Sequence, residues 1–534
     1  MTLSRGFSHF WHPPNVFKQR ILGYLGMFYR PVAVWGAVIG SAFFFLGSLA
    51  LADGLNAAFE SISIPDIRAH IEVLADDAME GREAGSRGGR AAAAYLAKQL
   101  AEFGLKPGGD RDAFIQTFEA GNYRNVLAVL EGSDPTLKHE YVLVGAHYDH
   151  VGYGTSRNSR GPWGQIHNGA DDNASGVACV LEIAQAVTFL AAPPRRSILF
   201  AFWDGEEKGL LGSKHWCSQP TVPLQAVALA FNADMIGRLR EETLHVYGTR
   251  TAQGLRRWLS WQNQATDLIL DISWELRAHS DHYPLVEREI PALMLHTGLH
   301  DDWHRPSDNA NKINHEGISA TTRLLFSLVV EGANQPNRFA FRREARGERL
   351  ADRVSLEKPV SPRPPRFGVS WTDDGDLPGV ALTHVTPGSP ADRAGLQIGD
   401  RLVRFDGLDA TDSSQLGVAI WAASSPATAV VEREGGEILE VSVDLDGRPL
   451  RYGISWREDQ GEPGTVLLTE VVPLSAAYLA GLQVGDRVYR AADEDFRDGN
   501  ELAARLSVLS GSVSLLIERN GRLREIVVEA PSVP

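Results

Sequence analysis

The chain has 534 residues, a net charge of −15 and a hydrophobic share of 43%, which is ordinary for a globular protein. That length is too great for one ordinary domain, and the negative charge argues against a nucleic-acid partner. Two cysteines, Cys179 and Cys217, exclude a disulfide framework. They allow one bridge at most, and Cys179, in a helical stretch, reads as a small buried hydrophobe.

Before residue 53 the only charged side chains are Arg5, Lys18, Arg20 and Arg30, and Pro31 to Ala52 is uncharged. This run is long enough to span a bilayer, and the basic flank directs the following chain across it. Ala50-Leu51-Ala52 before Asp53 also fits a small-x-small cleavage site. Residues 1–52 are therefore expected to be a signal peptide or an N-terminal membrane anchor. Either one exports the body of the protein, to a periplasmic or extracytoplasmic, secreted or anchored location.

Residues 60–105 carry apolar side chains at helical spacing. From Asn125 short apolar runs alternate with longer helical ones: NVLAVLEG, YVLVGAH, SILFAFWD, AVALAFNAD and PALMLHTG. The pattern predicts an α/β domain with a mixed, mainly parallel sheet flanked by helices. Such sheets bind ligands beyond the carboxyl ends of their strands. There the sequence puts His147 and Asp149 after one strand, Asp204, Glu206 and Glu207 after a second, and Asp234 after a third.

Residues 342–365 are charged and then proline-rich, and read as a linker between separable parts. A repeat follows. FGVSWTDDGDLPG from Phe367 matches YGISWREDQGEPG from Tyr452, and AGLQIGDRLVR from Ala394 matches AGLQVGDRVYR from Ala480. The expected organisation is an α/β domain at 53–341, the linker at 342–365, and two small β-rich modules at 366–447 and 448–534.

The strand-end residues suit a pair of zinc ions. His147 supplies an imidazole that Asp149 can orient. Asp171 and Asp172 precede a helix; a carboxylate there can bridge two metals, while Asp172 also fits a plain helix cap. Glu206 and Glu207 diverge in a turn, so one can bind metal while the other faces water. Asp234 and His304 complete the set. Nitrogen and oxygen donors without thiolate suit zinc, with cobalt or manganese as substitutes. His150, His167, His282, His296 and His300 read as surface or packing residues. There is no H-E-x-x-H helix and no G-x-S-x-G elbow.

Residues 60–330 resemble the di-zinc aminopeptidase family typified by bacterial leucyl aminopeptidases, related to the transferrin-receptor and glutamate-carboxypeptidase group. The matching pieces are GREAGSRGG, GAHYDHVG, NGADDNASG, WDGEEKGLLGS, NADMIG, SDHYP and WHRPSD. The resemblance implies one zinc on His147 and Asp234, another on Glu207 and His304, and Asp171 between them. It implies Asp149 orienting His147, and Glu206 as general base. Some relatives carry a tyrosine three residues before the serine of SDH as oxyanion stabiliser; here that position is Arg277, with Tyr283 a second candidate. The modules resemble bacterial PDZ domains, whose carboxylate-binding loops correspond to Arg366–Ser370 and Arg451–Ser455.

These expectations describe an exported zinc aminopeptidase acting on peptides with a free N-terminus. Its modules would bind peptide or protein C-termini, and the membrane would be a partner if the first segment is retained. The alternatives are a carboxypeptidase or glutaminyl cyclase on the same scaffold, or a catalytically inactive receptor or scaffold.

Overall fold

The computed structural model describes residues 54–373, 377–509 and 511–529. The expected signal or anchor segment, 1–52, lies outside them. Among the described residues no helix is long and apolar enough to cross a membrane. The chain folds as two compact units. The first holds residues up to Gly248 with Gln262–Ile269 and Leu276–Phe339; the second holds Thr249–Trp261, Leu270–Glu275 and the chain from Ala340 onward.

In the first unit the apolar runs form the sheet expected of them. Its labelled strands are β1 (Tyr123–Leu130), β2 (Tyr141–His147), β3 (Ser197–Trp203), β4 (Val227–Ala233), β5 (Thr243–Tyr247) and β6 (Ala292–His296). Their lateral order is β1-β3-β2-β4-β6-β5. The central pairs β3–β2, β2–β4 and β4–β6 are parallel; β1 and β5 flank them in antiparallel fashion, with short strands pairing outside both. Every residue of β3, β4 and β6 is buried. These strands therefore read as unbroken apolar runs rather than alternating ones. His147 pairs with Trp203 at the ends of β2 and β3, so the segments after β2, β3 and β4 leave the sheet at one edge.

Helices cover the sheet. α1 (Ile64–Leu74) begins at Ser63, whose hydroxyl accepts the Asp66 amide, and has Pro in its first turn. α2 (Arg87–Glu102) begins at Ser86 in the same way, bonding the Gly89 amide. Gly88 lets α2 lie against the turn that carries Arg82: a Cβ there would sit 1.8 Å from the Met79 carbonyl oxygen. α3 (Gly176–Ala186) packs on β2 and on the long helix His315–Asn334. Cys179 and Cys217 are buried free thiols, so the single bridge the sequence allows is not formed.

In the second unit the repeat becomes two sheets of the same strand order. One runs Val369–Thr372, Val380–Val385, Arg401–Phe405, Ala427–Arg433, Glu437–Val443; the other runs Ile454–Glu458, Val466–Val471, Arg487–Ala491, Ser512–Arg519, Arg522–Glu529. Each sheet covers its own apolar core and carries one long helix, Ser413–Ala422 or Gly499–Val508. The helix of the first module docks on the second: the Trp421 indole donates to the Pro473 carbonyl at 3.0 Å, and Val418 packs on the second module's core.

Two features differ from the sequence reading. The stretch 342–365 is not a bare linker. It contains the helix Leu350–Glu357, and Arg363 grips Glu470 through Nε at 2.9 and 3.0 Å. The boundary at residue 341 also differs, because Thr249–Trp261 and Leu270–Glu275 fold with the modules. The helix Leu255–Gln262 is held there by charge. Arg256 makes a two-pronged pair with Glu518 at 2.9 and 3.1 Å, and Glu462 accepts the Arg256 and Arg257 amides at the helix start. Arg250 pairs with Glu348 and Asp459 and lies 3.6 Å above the Trp274 ring. Partners so distant in sequence leave no local pattern.

Candidate metal centre

The carboxyl edge of the sheet gathers the site. His147 ends β2, and its Nε2 lies 3.4 Å from Asp234 Oδ1, just beyond β4, and 3.4 Å from Asp172 Oδ1. His304 Nε2 lies 3.1 Å from Asp172 Oδ2 and 3.1 Å from Glu207 Oε2. Asp172 thus turns one oxygen toward each histidine. Two groups of candidate ligands result, His147–Asp172–Asp234 and His150–Asp172–Glu207–His304; within each, the ligand atoms all lie within 4.8 Å of one another.

This corrects the sequence reading at Asp171. The turn between β2 and α3 presents Asp172, not Asp171, to both histidines. The Asp171 carboxylate faces away and is already bonded: Oδ1 accepts the Gly237 amide at 2.6 Å and the Ser175 hydroxyl at 3.1 Å, and Oδ2 lies 3.0 Å from His300 Nε2. The amides of Asp171 and Asp172 both donate to Asp308 Oδ2, which fixes the turn. Asp149 also acts differently from expectation. His147 Nδ1 is 3.1 Å from the Asp149 main-chain oxygen but 3.8 Å from its carboxylate. The carboxylate instead receives the Glu206 amide at 3.0 Å, so Asp149 positions the turn of Glu206 and Glu207.

Glu206 belongs to neither ligand group. Arg277 is exposed, with its guanidinium 5.9 Å from the Tyr247 ring. Tyr283 is half-buried in the helix His282–Glu287. Asp204 is a structural residue, its Oδ2 taking the Arg124 amide.

Further residues build the centre that sequence patterns did not single out. Arg82, fully buried, donates to the carbonyls of Leu74, Tyr148, Asn168 and Gly169. It thereby ties together the two segments that carry His147 and Asp172. Burial lowers its pKa to about 10, with Asp172, Asp149 and Asp308 opposing the drop, so it stays charged near neutrality. Ser280 donates to Asp234 Oδ2 at 2.6 Å and accepts from Asn232. His150 lies in the site rather than on the surface.

The electrostatics call for added positive charge. Burial raises the Glu206 pKa well above the usual carboxylate range, and Glu207, Asp234 and Asp281 reinforce it. Burial works against protonation of His147, yet Glu206 and Asp234 hold its pKa well above the usual imidazole value. His304 is likewise raised to about 10 against burial, by Asp172 and Glu207. Asp149 Oδ2 is buried without a partner. Imidazole nitrogens and carboxylate oxygens, with no thiolate, are a donor set that zinc accepts. The residues present fit a pair of dications that would neutralise Asp172, Asp234 and Glu207.

Residues 125–329 match peptidase family M28. Residues 382–418, in the first β-rich module, match a PDZ domain. The chain is similar to aminopeptidase YwaD of Bacillus subtilis, 26% identical over 231 residues, covering 41% of this chain and 47% of that protein. It is also similar to leupeptin-inactivating enzyme 1 of Streptomyces exfoliatus, 29% identical over 259 residues, covering 47% and 52%. The chain spans about half the length of these curated relatives. Among solved structures, the LapA aminopeptidase of Legionella pneumophila aligns with a TM-score of 0.44 and 20% identity, over 58% of this chain and 80% of that one.

Proposed function

We propose that the chain is an exported zinc metallo-aminopeptidase that removes N-terminal residues from peptides. The observation that carries this reading is the pair of histidine–carboxylate groups sharing Asp172, with Glu206 beside them and outside both. His147, Asp172 and Asp234 would hold one ion, and Asp172, Glu207 and His304 the other. Zinc bound there supplies Lewis acidity toward the scissile carbonyl.

The chain's own residues do the rest. Glu206 takes a proton from the attacking water on its carboxylate oxygen and passes it to the departing amine as the C–N bond breaks. The Asp149 carboxylate holds the Glu206 amide, which fixes the base relative to His147. Export rests on the uncharged run after the basic N-terminal segment.

The first module would hold a peptide end. A cavity of about 450 Å³ lies where its edge strand and helix, through Phe367, Val369, Ile420 and Trp421, face residues 359–365 and residues 469–474 of the second module. Arg366, 2% exposed, also lines it and keeps Nε and Nη2 without partners, which suits a carboxylate.

The test is zinc analysis of the full chain, with hydrolysis of aminoacyl amides and their N-acetylated counterparts. Release of free amino acids from unblocked substrates alone supports the reading. Cleavage of blocked peptides from the C-terminus would replace it with a carboxypeptidase, and metal-free, inactive protein with a scaffold.

A further inference from the structure

His150 follows His147 by three residues, and its imidazole is fully buried. The main chain fixes it: the His150 amide donates to the Arg82 carbonyl at 3.2 Å. The ring lies against Gly169, where a Cβ would come within 2.5 Å of its Cδ2; that glycine also has φ +56°. Only a residue without a side chain leaves the ring this place.

From there Nδ1 points at Glu207 Oε1, 2.9 Å away, and at Asp172 Oδ2, 3.8 Å away. The His304 ring approaches the same two carboxylates from another side, at 81° to the His150 ring, with 3.1 Å to each. Four donors on a zinc ion at about 2.0–2.1 Å stand about 3.3 Å from one another in a tetrahedron. The contacts among these four residues, 2.9 to 3.8 Å, bracket that spacing. The other position has three such residues, His147, Asp172 and Asp234.

We propose that His150 is a fourth protein ligand at the Asp172–Glu207–His304 position, so that the two metal positions are unequal. One is closed by four protein donors. The other, held by His147, Asp172 and Asp234 alone, keeps a place open. Closed sites hold metal structurally, and open ones admit water and substrate. The inference rests on the zinc reading above and goes beyond the five residues from which that reading began.

The experiment uses the full chain with zinc or cobalt alone. Metal content and chelator competition give the affinity of each ion, and the visible absorption of the cobalt form reports coordination number. Variants are His150→Ala and His150→Gln, each checked for folding by circular dichroism. Losing a hydrogen-bonding neighbour of a ligand costs 10–100-fold in affinity. Losing a ligand should cost more than about 100-fold, at one ion only, with a changed cobalt spectrum. His150→Gln keeps a hydrogen-bond donor for Glu207 and should fail to restore binding; should the Ala variant not fold, the Gln variant alone decides. Restoration by Gln, a loss within 100-fold with an unchanged spectrum, or two unaffected ions would each overturn the proposal. Wild-type protein without metal would instead remove the zinc reading itself.

Discussion

Removing Arg256 should cost the second unit several kcal/mol. Its guanidinium faces Glu518 through two contacts of 2.9 and 3.1 Å, and Glu518 is fully buried. Burial works against ionisation of Glu518, but the charges of Arg256 and Arg487 hold its pKa down from 4.5 to about 2. That preference for the ionised form is worth about 3 kcal/mol. It agrees with the 3–5 kcal/mol lost when one partner of a buried pair is removed. Because the folded pKa lies below the unfolded one, this stability is present above about pH 4.5 and is lost as pH falls toward 2. Arg256→Met should therefore carry a constant penalty of about 3–5 kcal/mol from pH 6 to 8. The double variant Arg256→Met, Glu518→Leu should recover most of it, since no charge is left stranded. Urea unfolding gives the energies. Hydrogen exchange read by mass spectrometry should localise the loss to Leu255–Gln262 and Ser512–Arg519. A single-variant cost below about 1 kcal/mol, or a double variant no better than the single, would refute the argument.

Three further outcomes are expected. Glu206→Gln should keep its metal while turnover falls by about 10²–10⁴-fold, measured as kcat beside zinc content. Asp172→Asn should weaken both metal positions, whereas Asp171→Asn should retain both and lose mainly thermal stability, as chelator competition and melting would show. In α3, burial raises the Glu182 carboxyl from 4.5 to about 7, while burial lowers neighbouring His70 to about 4, leaving it neutral over that range. For Glu182 the unfolded chain ionises first, so this carboxyl's contribution to stability is full below about pH 4.5 and declines by about 3 kcal/mol toward pH 7. Glu182→Gln should therefore raise Tm more at pH 8 than at pH 5; an equal gain at both would contradict this.

The sheet was legible because buried parallel strands are written as unbroken apolar runs. Their ends then delivered His147, Glu206, Glu207 and Asp234 without further knowledge. The choice between Asp171 and Asp172 was not legible: adjacent residues in an irregular turn have no periodicity to assign faces. It is decided by the Gly237 amide and the Ser175 hydroxyl, which claim Asp171. His150 looked like any other histidine because its place depends on the missing side chain of Gly169. Arg82 sits in a glycine-rich stretch whose pattern says nothing of the four carbonyls it binds. The charge pairs of Arg250 and Arg256 were invisible because their partners lie far along the chain.

The separation of 262 residues between Arg256 and Glu518 has a temporal side. At 5–20 residues per second, a ribosome that has made Arg256 needs roughly 10–50 s more to reach Glu518. Throughout that interval Leu255 and Leu259, both fully buried in the finished protein, lack the module that receives them. The first half of the nascent chain therefore emerges with one helix unplaced and apolar surface uncovered. Such a chain invites chaperone binding, or aggregation where chaperones are scarce. Synthesis would be the period of greatest hazard for this protein, and slowing it after residue 275 would lengthen that period.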